Sequence, residues 1–195
     1  MSLTNSTMLS LGTDLPNFEL PDVVSGKIVT PADFADRKGL LIMFICRHCP
    51  YVLHVQAALV RLGRDYESAG LGIIAISAND IHAYPDDHPD KLKVMAKDLR
   101  LAFPLCFDET QEVAKTFTAA CTPDFFLFDR ERKLVYRGQL DDSRPGNNKP
   151  VTGKDLRAAI DAMLAGRDVD QHQQPSAGCN IKWKPGNAPS YFQAL

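Results

Sequence analysis

Two cysteines with two residues between them, Cys46-Arg47-His48-Cys49, are the groups in this chain best suited to covalent chemistry. On one helical face, thiols at that spacing close a disulfide with little backbone movement, and the thiolate is the reacting form. The spacing alone fits a redox pair, half of a zinc site, or two packed thiols. A structural zinc site calls for a second ligand pair at similar spacing. Cys106, Cys121 and Cys179 stand singly, so the redox pair leads. Arg47 and His48 lie between the two sulfurs. Cationic or hydrogen-bonding groups beside a thiolate lower its pKa from about 8.5 to roughly 4–7 and stabilise the reduced form. Arg47 read blandly is a solvated loop cation, which is compatible with that role.

The elements around the pair must place it at a strand-to-helix junction. Leu40-Leu41-Ile42-Met43-Phe44-Ile45 reads as a buried central strand. Pro50 then suits a first helical turn, and Val52, Val55, Leu59, Leu62 and Tyr66 form an apolar stripe ending before Gly70. A cysteine there faces unpaired N–H groups and the positive end of the helix dipole.

Upstream, Gly12 to Asp22 predicts a short edge strand, with Ile28-Val29 returning as its hairpin partner. Downstream, residues 71–77 read as a second buried strand and 79–89 as a polar surface loop that leaves His82 and His88 in solvent. Residues 91–99 read as a helix, 104–107 as a short strand and 110–117 as a short helix. An antiparallel hairpin follows from 125–128 and 134–137. Thr152 and Asp155 suggest a capping box for a last helix closed by Gly166. The order predicts one α/β domain over 11–166, a mixed central sheet with helices on both faces. Residues 1–10 are expected to be flexible, and 167–195 to wrap the domain as an irregular tail.

The chain has 195 residues, 45% of them hydrophobic, and 24 acidic against 22 basic groups. That length holds a sizeable single core. A net charge of -2 gives no footprint for nucleic acid or a polybasic membrane contact. No apolar run approaches the roughly 20 residues of a membrane span. The first residues lack the basic start and apolar core of a secretion signal. An odd number of cysteines without scaffold spacing points to a reducing, cytoplasmic setting.

Several stretches resemble a known family. Gly12-Thr-Asp-Leu-Pro-Asn-Phe-Glu-Leu20 looks like the opening segment of the AhpC/TSA (redoxin) family. Phe44 to Val52, Cys121 to Asp129, Tyr136 to Gly146 and Pro175 to Lys184 resemble its peroxiredoxin-like, thioredoxin-fold branch. The resemblance implies a thiol–disulfide oxidoreductase in which Cys46 attacks and Cys49 resolves, without an organic cofactor or metal. It implies protein or small-molecule disulfides as substrates and a thiol as reductant. It also implies a cis-proline at Pro123, with Thr122 offering its backbone to a bound substrate segment. A histidine before the second cysteine also occurs in disulfide oxidants and isomerases of this fold, so a pair more oxidising than thioredoxin's is expected.

Two rival readings remain at this stage. A thiol peroxidase acting on peroxides would align its peroxidatic cysteine with Cys49. The family's threonine, proline and arginine then fall on Cys46, Ile42 and near Pro123, while thioredoxin's buried acid falls on Leu40. His48 and His54 are therefore the candidates for deprotonating Cys49. A metallochaperone would hold copper(I) or zinc on Cys46, Cys49 and a histidine. Cys121 and Cys179 are candidates for additional redox thiols, with Cys179 expected to reach Cys46 or Cys121 from a flexible tail. Cys106 is expected to be a packed core thiol.

Overall fold

A computed structural model describes residues 3–192. The elements are β1 (Leu3–Asn5), β2 (Leu20–Pro21), β3 (Ile28–Val29), β4 (Gly39–Phe44), α1 (Pro50–Glu67), β5 (Leu71–Ser77) and α2 (Pro89–Asp98). There follow β6 (Leu105–Phe107), α3 (Glu112–Thr116), β7 (Cys121–Thr122), β8 (Asp124–Phe128), β9 (Leu134–Gly138), α4 (Lys154–Leu164) and β10 (Ala177–Asn180).

The main sheet has the order β6-β5-β4-β8-β9. β4, β5 and β6 run parallel, while β8 and β9 are antiparallel additions on the other side of β4. This is the thioredoxin-like arrangement. Both faces are covered, which explains why β4 and β5 are apolar at nearly every position rather than alternately. Strand geometry still divides them. Leu41 and Met43 face a core shared with Val52, Val55, Leu59, Leu62 and Tyr66 of α1 and Leu156 and Ile160 of α4. Leu40, Ile42 and Phe44 face the opposite core, where Phe117, Phe126 and Phe128 meet edge-on.

Two expectations are corrected at the chain ends. Residues 3–5, expected to be flexible, form β1, and the tail contains β10. Together with β7 they make a separate antiparallel sheet in the order β1-β10-β7. The last helix also starts differently. Its N-cap is Gly153, at φ 71, which brings no side chain of its own, and Thr152 Oγ1 accepts the Lys154 N–H at 3.3 Å. Asp141 accepts the Thr152 and Gly153 N–H groups, and Gln139 donates to Asp155, so the reciprocal bonds of a capping box between Thr152 and Asp155 do not form.

Asp124 opens β8 with no exposed surface. Burial pushes its carboxyl up to about 8, against hydrogen bonds from nearby N–H groups and Ser176. An acid raised in the folded state contributes stability that is complete below its unfolded pKa of about 3.9. That stability is lost as pH rises through about 8. Asp124→Asn should therefore be the more stable protein at mildly alkaline pH, by about 1–3 kcal/mol, and no more stable near pH 4. Urea midpoints across that range provide the check; parallel profiles for the two proteins would contradict the assignment.

Candidate redox site

The pair sits where β4 leaves the sheet. Ile45 makes the last ladder bond, its N–H donating to the Ile76 carbonyl at 2.9 Å, and the chain then turns into α1. Cys49 is the N-cap of α1 and Pro50 its first helical residue, the position where a missing N–H costs nothing. Cys46 is 1% exposed and Cys49 fully buried. All five cysteines are thiols.

One carboxylate shapes the loop. Asp87 has no exposed surface and ends a short turn, Pro85–Asp87, that follows β5. Its Oδ1 accepts the backbone N–H of Arg47 at 2.7 Å and that of His48 at 3.4 Å. Its Oδ2 lies 2.6 Å from His48 Nδ1 and accepts the Asn79 amide at 2.7 Å. The hydrogen bond to Asp87 raises His48 above the ordinary imidazole range, although burial opposes it. Burial pushes Asp87 up, but the bonds from His48 and Asn79 outweigh it and leave the carboxyl below its usual range. The His48 ring stacks on Tyr84 with centroids 5.3 Å apart, and the Lys182 ammonium lies 5.5 Å from the same Tyr84 ring.

Thr122 faces both sulfurs. Its hydroxyl is 3.3 Å from Cys46 Sγ, and its carbonyl lies 3.2 Å from Cys49 Sγ, where it accepts that thiol while Cys49 is protonated. The Thr122–Pro123 bond is cis, as the resemblance implied. Cys49 Sγ also receives hydrogen bonds from the thiols of Cys179 and Cys46. These donors draw its pKa far below that of a free thiol, with burial opposing and Thr122 assisting. Cys46, which donates to Cys49, is buried and lies near the Asp87 charge, is raised well above it. Between the two sulfurs, these hydrogen bonds favour charge on Cys49 over Cys46. This direction is opposite to the expectation that Cys46 ionises first, because the second donor, Cys179, acts on Cys49.

The other expected residues divide clearly. Arg47 contributes its backbone N–H, but its guanidinium turns outward, 3.5 Å from Asp86, so direct tuning of a thiolate by that cation is not observed. Cys121 follows the strand alternation away from Thr122, and its thiol points to the Pro123 carbonyl at 3.6 Å. Cys106 is a buried core thiol, pushed up to about 12 mainly by burial. His54 Nε2 pairs with Ser143 Oγ at 2.7 Å, and His82 and His88 are exposed.

The backbone edge at Thr122, where a substrate segment was expected to pair, is not open. Its Cα partner in β10 is Cys179, and a side chain on Gly178 would run into the Thr122 carbonyl. Cys179 meets Cys49, rather than Cys46 or Cys121. Asp87 escaped sequence reasoning because it lies in a polar, proline-punctuated stretch. Its position supplied a signal, since the loop after β5 opens on the same carboxyl edge of the parallel strands as the loop carrying Cys46.

Cys46, His48 and Asp87 bring one ligand atom each within 4.8 Å of one another, a set of the kind that takes a cation. Both Asp87 oxygens are already engaged by Arg47, His48 and Asn79, so a cation would have to displace the bonds that form the loop. Among the described residues no helix is long and apolar enough to cross a membrane.

Residues 11–137 match the model of the AhpC/TSA family. An uncharacterized conserved protein from Geobacillus kaustophilus is 53% identical, with a TM-score of 0.93 over 95% of this chain and 98% of its own. The thiol-disulfide oxidoreductase ResA of Bacillus thuringiensis subsp. konkukian (strain 97-27) is 27% identical over 68% of this chain and 71% of its own. A thiol:disulfide interchange protein of the thioredoxin family from Chlorobium tepidum TLS shares the fold at 16% identity. Its TM-score is 0.61, over 80% of this chain and 99% of that one.

Proposed function

The chain belongs to the AhpC/TSA family, and from that premise we propose that it is a thiol–disulfide oxidoreductase working through Cys46 and Cys49. The observation that carries this reading is the placement of two buried sulfurs at a helix N-terminus, both facing Thr122 beside its cis bond to Pro123. As Cys46 attacks a substrate disulfide, its proton passes to the Cys49 thiolate, and one substrate sulfur leaves. Cys49, returned to its favoured thiolate form by proton transfer to that leaving thiolate, then attacks Cys46 in the mixed disulfide and expels the second substrate sulfur. The balance is two protein sulfurs oxidised to one disulfide and one substrate disulfide reduced to one thiol and one thiolate, which takes its proton from solvent. A thiol reductant returns the pair to its starting state. His48, held by Asp87, places positive charge near the pair and stabilises the thiolate. A reducing, cytoplasmic compartment suits this cycle and the chain's five thiols.

A second reading, peroxide reduction, is favoured by the hydrogen bonds that draw Cys49 below a free thiol. A Cys49 thiolate would take one oxygen from a peroxide and become a sulfenic acid, which Cys46 would close to a disulfide with loss of water. The hydrogen-bond partners of Cys49 are sulfurs and Thr122, His48 is tied to Asp87, and the Arg47 cation turns to Asp86, so support for charge on a departing oxygen is weak. With dithiothreitol as reductant, insulin disulfides should be reduced with a larger second-order rate constant than hydrogen peroxide is consumed. A peroxide rate constant of about 10⁶ M⁻¹s⁻¹ or more would make peroxide reduction the better reading.

A further inference from the structure

The tail strand β10 lies where an extended substrate segment would pair, along the edge at Thr122. Its register sets Cys179 opposite Thr122 and Asn180 opposite Cys121. β1 closes its outer edge. Both flanks are fastened: the Ser6 N–H donates to the Ser176 carbonyl at 2.9 Å and the Ile181 N–H to that of Ala120 at 3.0 Å. Lys182 is fixed by bonds in both directions, donating its N–H to Asn79 Oδ1 and accepting that of Asp80, each at 2.8 Å. The absence of a side chain at Gly178 allows this approach, because a Cβ there would overlap the Thr122 carbonyl. A strand held at both ends thus carries one sulfur, 3% exposed, into hydrogen-bond contact with Cys49. Packing alone does not require a thiol at that point, since alanine or valine fills a buried strand position equally well.

We propose that Cys179 is a third redox-active thiol, presented to Cys49 by a tail strand that occupies the substrate edge, and that it exchanges with the Cys46–Cys49 disulfide. This rests on the reading of Cys46 and Cys49 as the redox pair. In the exchange the Cys179 sulfur attacks Cys49, the Cys49–Cys179 bond forms and the Cys46–Cys49 bond breaks. The proton of Cys179 ends on Cys46. One disulfide and one thiol are present before and after, so no outside oxidant or reductant enters the step. Its product ties the tail to the start of α1 and releases Cys46 as a thiol. A protein substrate must displace β10 from Thr122 to reach the same edge, and the Cys49–Cys179 bond opposes that displacement.

Disulfide mapping of the full chain tests the proposal. Reduced protein is oxidised with stoichiometric diamide, quenched in acid, alkylated and digested without reduction. In the wild type Cys49 should be bridged to Cys46 in some molecules and to Cys179 in others. In Cys46→Ser, Cys49 and Cys179 should be lost from alkylation together, within monomers. A Cys49–Cys179 bond in the wild type upholds the proposal. Its absence there overturns the exchange, even where Cys46→Ser forms the bond by direct oxidation. The wild-type arm does not depend on a variant's folding. The underlying redox pair is judged separately, by whether the wild type forms the Cys46–Cys49 bond.

Discussion

Serine at Cys46 or at Cys49 is expected to lower turnover on a protein disulfide by at least about 10³-fold, and the double variant should be little worse than either single one. The reason is that the two sulfurs act as a unit: one forms the mixed disulfide and the other must break it. The two variants should differ in what accumulates. Cys49→Ser retains the attacking sulfur and should collect a covalent adduct with substrate through Cys46. Cys46→Ser should not collect that adduct. Steady-state reduction of insulin, with non-reducing gels of each reaction, measures both effects. Residual turnover within tenfold of wild type in either variant would contradict the mechanism.

Asp87→Ala should destabilise the folded protein by about 3 kcal/mol, because it leaves a buried polar arrangement without its acceptor. The Arg47 and His48 N–H groups, the His48 ring and the Asn79 amide all lose a partner together. The pH dependence follows from the shifts of the two residues. His48 is raised on folding, so its contribution is complete below the unfolded value of about 6.5 and is lost as pH rises through the folded value. Asp87 is lowered, so its contribution is present above about 3.9 and is lost as pH falls through the folded value. The stability gap between wild type and Asp87→Ala should be widest between about pH 4 and 6.5 and narrow on either side. Urea unfolding of both proteins at several pH values checks this. A gap that widens steadily toward alkaline pH would show that the pairing with charged His48 is not its source.

Features that depend on neighbours in sequence were legible. The apolar run at 40–45, the stripe from Val52 to Tyr66 and the cysteine spacing all follow from local periodicity, and each lies where it was expected. Features that depend on distant partners were not. β10 is four residues long, includes Gly178 and Asn180 and has no alternating pattern; its existence depends on β1 and β7, more than 50 residues away. The favoured site of charge differs from the expectation for the same reason. Helix N-terminus, Arg47 and His48 are local and pointed to Cys46. The Cys179 donor and the Asp87 charge come from other segments and move the charge to Cys49. Thr152 and Asp155 have the spacing of a cap, but Asp141 and Gln139 hold them instead.

A single-turnover experiment tests the central claim most directly. Reduced protein is mixed with less than one equivalent of a disulfide substrate, quenched at successive times in acid, alkylated and mapped. The first intramolecular bond to appear should join Cys46 to Cys49, formed in a one-to-one ratio with substrate disulfides reduced. If the substrate is reduced while Cys46 and Cys49 both remain open to alkylation, the pair is not the redox centre.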